Sequence, residues 1–183
     1  MKSKLLAIVG MPGAGKSEVI KTLGNRGIPC IRFGEQTDVG LREKGLPITP
    51  ENEQRYREAI RKELGMAAYA IKAEEKIKHM LSILQVVAID GLYSWEEYLY
   101  IKERFPQLFV VAVIAEPEVR YTRLKNRSVR PFSPEEAAKR DIAEIENLHK
   151  AGPIAIADYF IENNGQLLQL QEKIEALLER LKL

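Results

Sequence analysis

The segment Gly10-Met11-Pro12-Gly13-Ala14-Gly15-Lys16-Ser17 constrains this chain more than any other. It follows an apolar run, residues 5–9, that reads as a buried strand, and it precedes a helical pattern from Ser17 to about Asn25. Strand, glycine-rich turn and helix form the context in which G-x-x-x-x-G-K-[ST] binds phosphate. Glycines at 10, 13 and 15 admit backbone conformations closed to residues with a side chain. Successive amides then face inward as a nest for phosphate oxygens, at the positive end of a helix. In that arrangement Gly10, Gly13, Ala14, Gly15, Lys16 and Ser17 hold the nucleotide. Lys16 reaches the β- and γ-phosphates, and the Ser17 hydroxyl ligates Mg²⁺. The expected ligands are a nucleoside triphosphate, ATP first, and Mg²⁺.

Composition narrows the setting. A length of 183 residues suits one α/β domain, expected to span 1–183. The formal net charge of +2 is too small to argue for nucleic acid or an acidic membrane as partner. Cys30 is the only cysteine, so an internal disulfide is impossible, as fits a reducing cytoplasm. Its apolar neighbours make it a core residue rather than a nucleophile. No apolar run is long enough to span a bilayer, and the N-terminal strand and phosphate loop stand where a signal peptide would need an uninterrupted apolar segment. A cytoplasmic protein acting on small molecules is expected.

Five apolar runs, residues 5–9, 28–33, 86–89, 108–115 and 154–161, read as strands. They are mostly continuous, as in a parallel sheet covered on both faces. Helical patterns separate them. Thr49 with Pro50 starts one and Gly65 stops it; a second carries Ala70, Ile77, Met80, Leu81 and Leu84 on one stripe. Ser133-Pro134-Glu135-Glu136 is a capping box that opens a helix to about Lys150, and Leu167 to Leu181 supply a final apolar stripe. The expectation is a three-layer P-loop NTPase fold of class α/β: a five-stranded parallel sheet with helices on both faces. Its ligands should gather at the carboxyl ends of the strands.

Polar residues at those ends are the remaining candidates. Asp90, after the third strand and before Gly91, is placed to hold Mg²⁺ with Ser17. Arg120, Arg123 and Arg127 fall at spacings that share a helix face, and Arg130 and Arg140 follow. Phosphoryl transfer is mostly positioning and charge neutralisation, so a lid carrying these arginines, about residues 120–140, would close over the phosphates. Asn163 and Asn164, in the turn after the fifth strand, are placed to contact adenine. His79, His149 and Trp95 carry no chemical signal.

At this point the chain resembles the nucleoside monophosphate kinase group of P-loop proteins over nearly its whole length. The phosphate loop, the strand 87–89 with Asp90-Gly91, the Arg123-Leu124-Lys125-Asn126-Arg127 run, and Arg130 and Arg140 around Pro134 carry the likeness. With Gly34 and the stretch 45–52, it is most similar to adenylate-kinase-related proteins. Residues 157–165 look instead like the end of dephospho-CoA kinases. The resemblance implies a kinase in which Lys16, Asp90, Arg123 and Arg127 act at the transferring group. The acceptor would lie in a helical insertion, about residues 34–84, touching Gly34 and, through the lid, Arg130 and Arg140. Adenylate kinases carry an acceptor-side arginine where Asp38 stands here, and another where Tyr93 and Ser94 stand. Arg42 and Arg61 are the candidate replacements. The leading expectation is transfer from ATP to a nucleoside monophosphate. Dephospho-CoA kinase is an alternative, with Glu35 or Asp38 as base for a hydroxyl. A nucleotide-binding switch or sensor is the other.

Overall fold

The computed structural model describes residues 3–183. Five strands, β1 (Lys4–Val9), β2 (Cys30–Arg32), β3 (Val86–Asp90), β4 (Leu108–Ile114) and β5 (Tyr159–Glu162), form one parallel sheet in the order β2-β3-β1-β4-β5. Register places Leu5 beside Val87 on one side and Leu108 on the other. β1 is thus central: the chain passes from it to the edge strand β2, returns to lay β3 between them, and then adds β4 and β5 on the other side. The crevice above β1 is the switch point where a doubly wound sheet takes its ligand.

The continuous apolar strands have a simple cause. Leu5, Ala7 and Val9 face one core, with Ile77 and Ile101; Ile8 faces a second, with Leu23, Ile174 and Leu177. Both faces of the central strands are therefore dry. α1 (Lys16–Asn25) and α9 (Leu167–Leu181) cover one face, and α4 (Ala68–Ile83) and α5 (Trp95–Arg104) the other. α2 (Glu35–Glu43) and α3 (Pro50–Leu64) pack beside α4, α6 (Pro117–Lys125) and α7 (Pro134–Leu148) close the far side of the crevice, and the short α8 (Ala151–Ala155) packs on α5 and β4.

Local chemistry accounts for the helix ends. The Asn52 amide donates to Thr49 Oγ1 at 3.3 Å, Pro50 opens α3, and Gly65 at φ 76° ends it. Ser133 and Glu136 form the reciprocal capping box of α7, at 3.2 and 2.7 Å. α5 begins on a second capping box, Ser94 with Glu97.

Two elements differ from expectation. The apolar run at 154–161 is not one strand: Ile154 lies in α8, and β5 starts at Tyr159. Pro153 explains the break, since it cannot donate to a ladder but fits the first turn of a helix. α6 ends at Lys125, so Arg127 leaves the helix that carries Arg120 and Arg123. Pro131 and the Ser133 cap terminate any continuation, and Arg130, just before the proline, takes φ 50°.

The α2–α3 contact tests the packing. A Cβ on Gly40 would stand 2.0 Å from the Tyr56 hydroxyl and 2.1 Å from its ring carbon Cζ. Both lie in the wall beside the crevice. Gly40→Ala should destabilise the protein by about 1–3 kcal/mol, as overpacking does, despite the better helix propensity of alanine. A melting temperature equal to or above wild type would show that Tyr56 moves aside freely.

Candidate functional site

The phosphate loop links β1 to α1, and its shape is imposed from outside. Gly10, Gly13 and Gly15 take φ of 145°, 78° and 107°. Added Cβ atoms would meet the Val113 carbonyl at 2.2 Å, the Arg120 carbonyl at 2.6 Å and Asn163 Nδ2 at 2.2 Å. Glycine is required there on both counts. Among the described residues, the amides of Gly13, Gly15, Lys16 and Ser17 donate to no backbone carbonyl. Such groups at a helix N-terminus are anion donors. Lys16 folds back over the loop, donating to the Gly10 and Met11 carbonyls at 2.9 and 3.2 Å.

A cavity of about 920 Å³ opens from this loop. Lys16, Ser17 and Asp90 line its floor; Arg123, Arg127, Arg130, Arg140, Glu144 and Lys150 line the side built by α6 and α7. Gly34, Thr37, Asp38, Arg57, Arg61 and Tyr69 line the opposite wall, from α2, α3 and α4. The cavity thus brings Lys16, Ser17, Asp90, Gly34, Arg61 and the arginines at 123, 127, 130 and 140 together. Arg42 is different. It is exposed on α2 and is absent from the cavity wall, while Arg57, one turn before Arg61, takes a place there.

The arginines divide by function. Arg120 is buried and fully engaged: it forks onto Asp141 at 3.0 and 2.6 Å and donates to the carbonyls of Pro12 and Ala115. It is a brace between the phosphate loop, α6 and α7. Arg123 donates to the Asn163 carbonyl at 2.8 Å and the Gly165 carbonyl at 3.2 Å, holding the turn after β5. Arg127 and Arg130 lie in residues 126–133, exposed and facing the cavity.

Asn163 is a second brace. It is buried, its Nδ2 donates to the Ala14 carbonyl at 2.8 Å, and its Oδ1 accepts from Arg123. The Asn164 side chain accepts from the Glu116 amide and donates to Glu116 and Glu162. Both amides, expected at adenine, are spent on the protein; only their surroundings, not their hydrogen bonds, were legible from a strand-end Asn-Asn-Gly.

Lys150 was missed altogether. It follows the left-handed cap of α7 at His149, is buried, pairs through Nζ with Glu144, and lies 4.6 Å from the centre of the Tyr93 ring. Glu144 also holds Arg140 at 2.9 Å. No motif marks such a lysine, because three elements assemble its surroundings. Burial first, and then the Lys150 charge, bring the Lys16 ammonium down to about 7. Burial also lowers Lys150. Cys30 is pushed up to about 11 by burial, consistent with a packing role.

Ser17 and Asp90 supply a hydroxyl and a carboxylate to one cavity. Asp90 is half-buried, and its nearest cationic partner, Arg32, is 4.0 Å away. Hard oxygen donors of this kind fit Mg²⁺, which keeps much of its water shell and needs few protein ligands.

Comparison with known proteins agrees with this geometry. Residues 6–147 match the family model of the AAA domain. A UPF0200 protein of Thermococcus sibiricus is 35% identical over 181 residues, covering 97% of this chain and 95% of its own. One from Hyperthermus butylicus is 32% identical over 180 residues, covering 97% and 94%. The chain belongs to the AAA-domain family and to the UPF0200 proteins. In fold, this UPF0200 protein is similar to TT1252 from Thermus thermophilus, with a TM-score of 0.69 at 20% identity over 99% of both chains. It is also similar to a shikimate kinase from Bacteroides thetaiotaomicron, with a TM-score of 0.62 at 16% identity over 98% and 99%. A gluconokinase from Sinorhizobium meliloti gives 0.57 at 16% identity over 98% and 94%. The shared architecture is a P-loop kinase fold.

Two outcomes test the site. At pH 7 roughly half of Lys16 is neutral by its depressed value, whereas a bound triphosphate favours the ammonium. Nucleotide binding should therefore take up protons, increasingly from pH 6 to 8, visible by titration calorimetry in buffers of different ionisation enthalpy. Binding that is proton-neutral across this range would mean that Lys16 is charged throughout. Separately, Asp141→Ala should cost about 3–5 kcal/mol in chemical denaturation, because it leaves Arg120 buried and unpaired. A loss under 1 kcal/mol would show that the brace is dispensable.

Proposed function

We propose that this protein transfers the γ-phosphoryl group of a nucleoside triphosphate, ATP by expectation, to a small anionic acceptor. One observation carries the reading: a single cavity joins the phosphate loop to a second polar wall on α2, α3 and α4. A phosphate loop alone would serve hydrolysis; a second wall with its own charges supports a second substrate. The P-loop kinase fold and its shikimate kinase and gluconokinase neighbours support the same class.

The residues divide the work as phosphoryl transfer requires. The loop amides and Lys16 cradle the phosphates. Ser17 and Asp90 would hold Mg²⁺, which when bound would supply charge neutralisation at the phosphates. Arg127 and Arg130, on the segment between α6 and α7, would close over the transferring group and exclude water. Arg140 and Lys150, held by Glu144, add positive charge from behind. Arg61 would take the anion of the acceptor, in a role for which Arg42 is misplaced. A nucleoside monophosphate fits this scheme if its phosphate is the group attacked, whereas Asp38 in the same wall favours an acceptor hydroxyl.

Lys16→Ala should lower turnover roughly 10²–10³-fold, the scale for removing one electrostatic stabiliser of a transition state. Arg127→Ala should lower kcat much more than it weakens ATP binding, because its contact forms on closure. Steady-state release of ADP with a panel of monophosphates and hydroxylated anions measures both. ATP bound by the wild type with no turnover under any acceptor would overturn the kinase in favour of a nucleotide-operated switch.

A further inference from the structure

We infer that the group phosphorylated is a hydroxyl on a small anion, with Asp38 accepting its proton and Arg61 gripping its negative charge. This rests on the phosphotransferase reading above and deepens it.

The acceptor wall is sparse in free charge. Arg57 is paired with Glu53 at 3.3 Å, and Thr37 is tied to the Tyr69 hydroxyl at 2.7 Å. Arg61 is not matched in this way. Among the described residues no carboxylate lies within 4.0 Å of it, and its Nε is buried without a hydrogen-bond partner. Its guanidinium carbon lies 5.6 Å from the centre of the Tyr69 ring, which orients the fork without using its donors. A buried, unmatched guanidinium donor calls for an anion.

Asp38 has the opposite character. It lines the same wall, half-buried, and no cation or hydrogen-bond donor engages its carboxylate among the described residues. Glu35, three residues earlier, is paired with Lys76 at 3.5 Å and does not reach the cavity wall. Of the α2 carboxylates, then, only Asp38 lines the cavity, and it does so without an ion-pair partner among the described residues. A phosphate acceptor is already ionised, needs no base, and would meet repulsion from Asp38 with Arg61 the one cation of that wall without an ion-pair partner to offset it. A hydroxyl needs a base. One free cation and one free carboxylate match a hydroxylated anion group for group.

The step balances as an in-line displacement. The acceptor oxygen bonds to Pγ as the bond from Pγ to the β,γ-bridging oxygen breaks and leaves with the nucleoside diphosphate. The hydroxyl proton passes to the Asp38 carboxylate and from there to solvent.

The test uses the whole protein in three measurements. Calorimetric titration with MgATP comes first, since a wild type that binds no triphosphate overturns the parent reading rather than this one. ADP release is then followed with water alone, with glycerate, gluconate, shikimate and glycerol 3-phosphate, and with AMP, CMP and UMP. Phosphorus NMR identifies each product as phosphoester or phosphoanhydride. The expected result is a phosphoester from at least one hydroxylated anion. Asp38→Asn should lower kcat for it, and for the slower reaction with water, about 10²-fold or more with ATP affinity kept. Arg61→Gln should raise its KM at least tenfold. Retained ATP affinity shows that the Asn variant is folded, and Asp38→Ala gives a second, independent reading. A phosphoanhydride formed from a monophosphate overturns the inference. So does undiminished kcat in both Asp38 variants, or a wild type that binds ATP yet phosphorylates neither hydroxyl nor water.

Discussion

A loop with glycines at 10, 13 and 15 has no conformational preference strong enough to hold its own shape, and ordering it is costly in entropy. Its geometry comes from two buried side chains delivered by distant sequence. Arg120 bonds the Pro12 carbonyl and Asn163 the Ala14 carbonyl, each from the far half of the chain. Arg120 is itself fixed by Asp141 on α7, and Asn163 by Arg123 on α6. The loop, α6, α7 and the turn after β5 therefore form one hydrogen-bonded unit. The exposed segment at 126–133, with Arg127 and Arg130, is anchored on both sides to that unit. Any movement of those arginines is thus referred to the phosphate loop itself.

This unit explains what sequence could and could not disclose. The loop was legible because its function requires glycine, lysine and serine at fixed spacing. The α3 and α7 starts were legible because capping is local chemistry between residues three apart. The final helix was legible from its apolar stripe, with Leu170, Ile174, Leu177 and Leu178 buried as the spacing requires. The roles of Arg120 and Arg123 were not. At helical spacing on one pattern, a brace, a turn clamp and a lid residue look alike, and only the end of α6 at Lys125 separates Arg127 from the other two. Lys150 and Arg57 show the same limit from the other direction, since their place in the cavity depends on tertiary contacts alone. The strand at 154–161 failed for a local reason that was available: Pro153 marked a boundary that apolar continuity obscured.

Electrostatically the cavity is prepared for an anion before one arrives. Lys16 and Lys150 are both buried and oppose each other's charge, which is a cost to the folded protein taken alone. Glu144, which holds Lys150 and Arg140, and Asp90, which acts on Lys16, offset part of it. A triphosphate bound in the cavity would relieve that imbalance directly. Preorganised charge of this type is where enzymes of phosphoryl transfer find most of their rate.

The acceptor wall is built on the opposite plan. Of its four charged residues Glu53 and Arg57 pair with each other, so on the proposed reading selectivity would come from Asp38 and Arg61, which have no ion-pair partner among the described residues. A site with Arg61 free and Asp38 blocked would take any small anion, phosphates included. With Asp38 also free, the wall would repel a multiply charged group near the transfer point, yet would accept a neutral hydroxyl carried on a singly charged body. Discrimination then lies in a penalty against the wrong acceptor as much as in a contact with the right one. The expected likeness to monophosphate kinases rests on the phosphate loop and on Arg123 and Arg127, and it breaks at Asp38, where those kinases carry an arginine. A division of this kind is expected when one fold keeps its donor machinery and varies the wall that faces it.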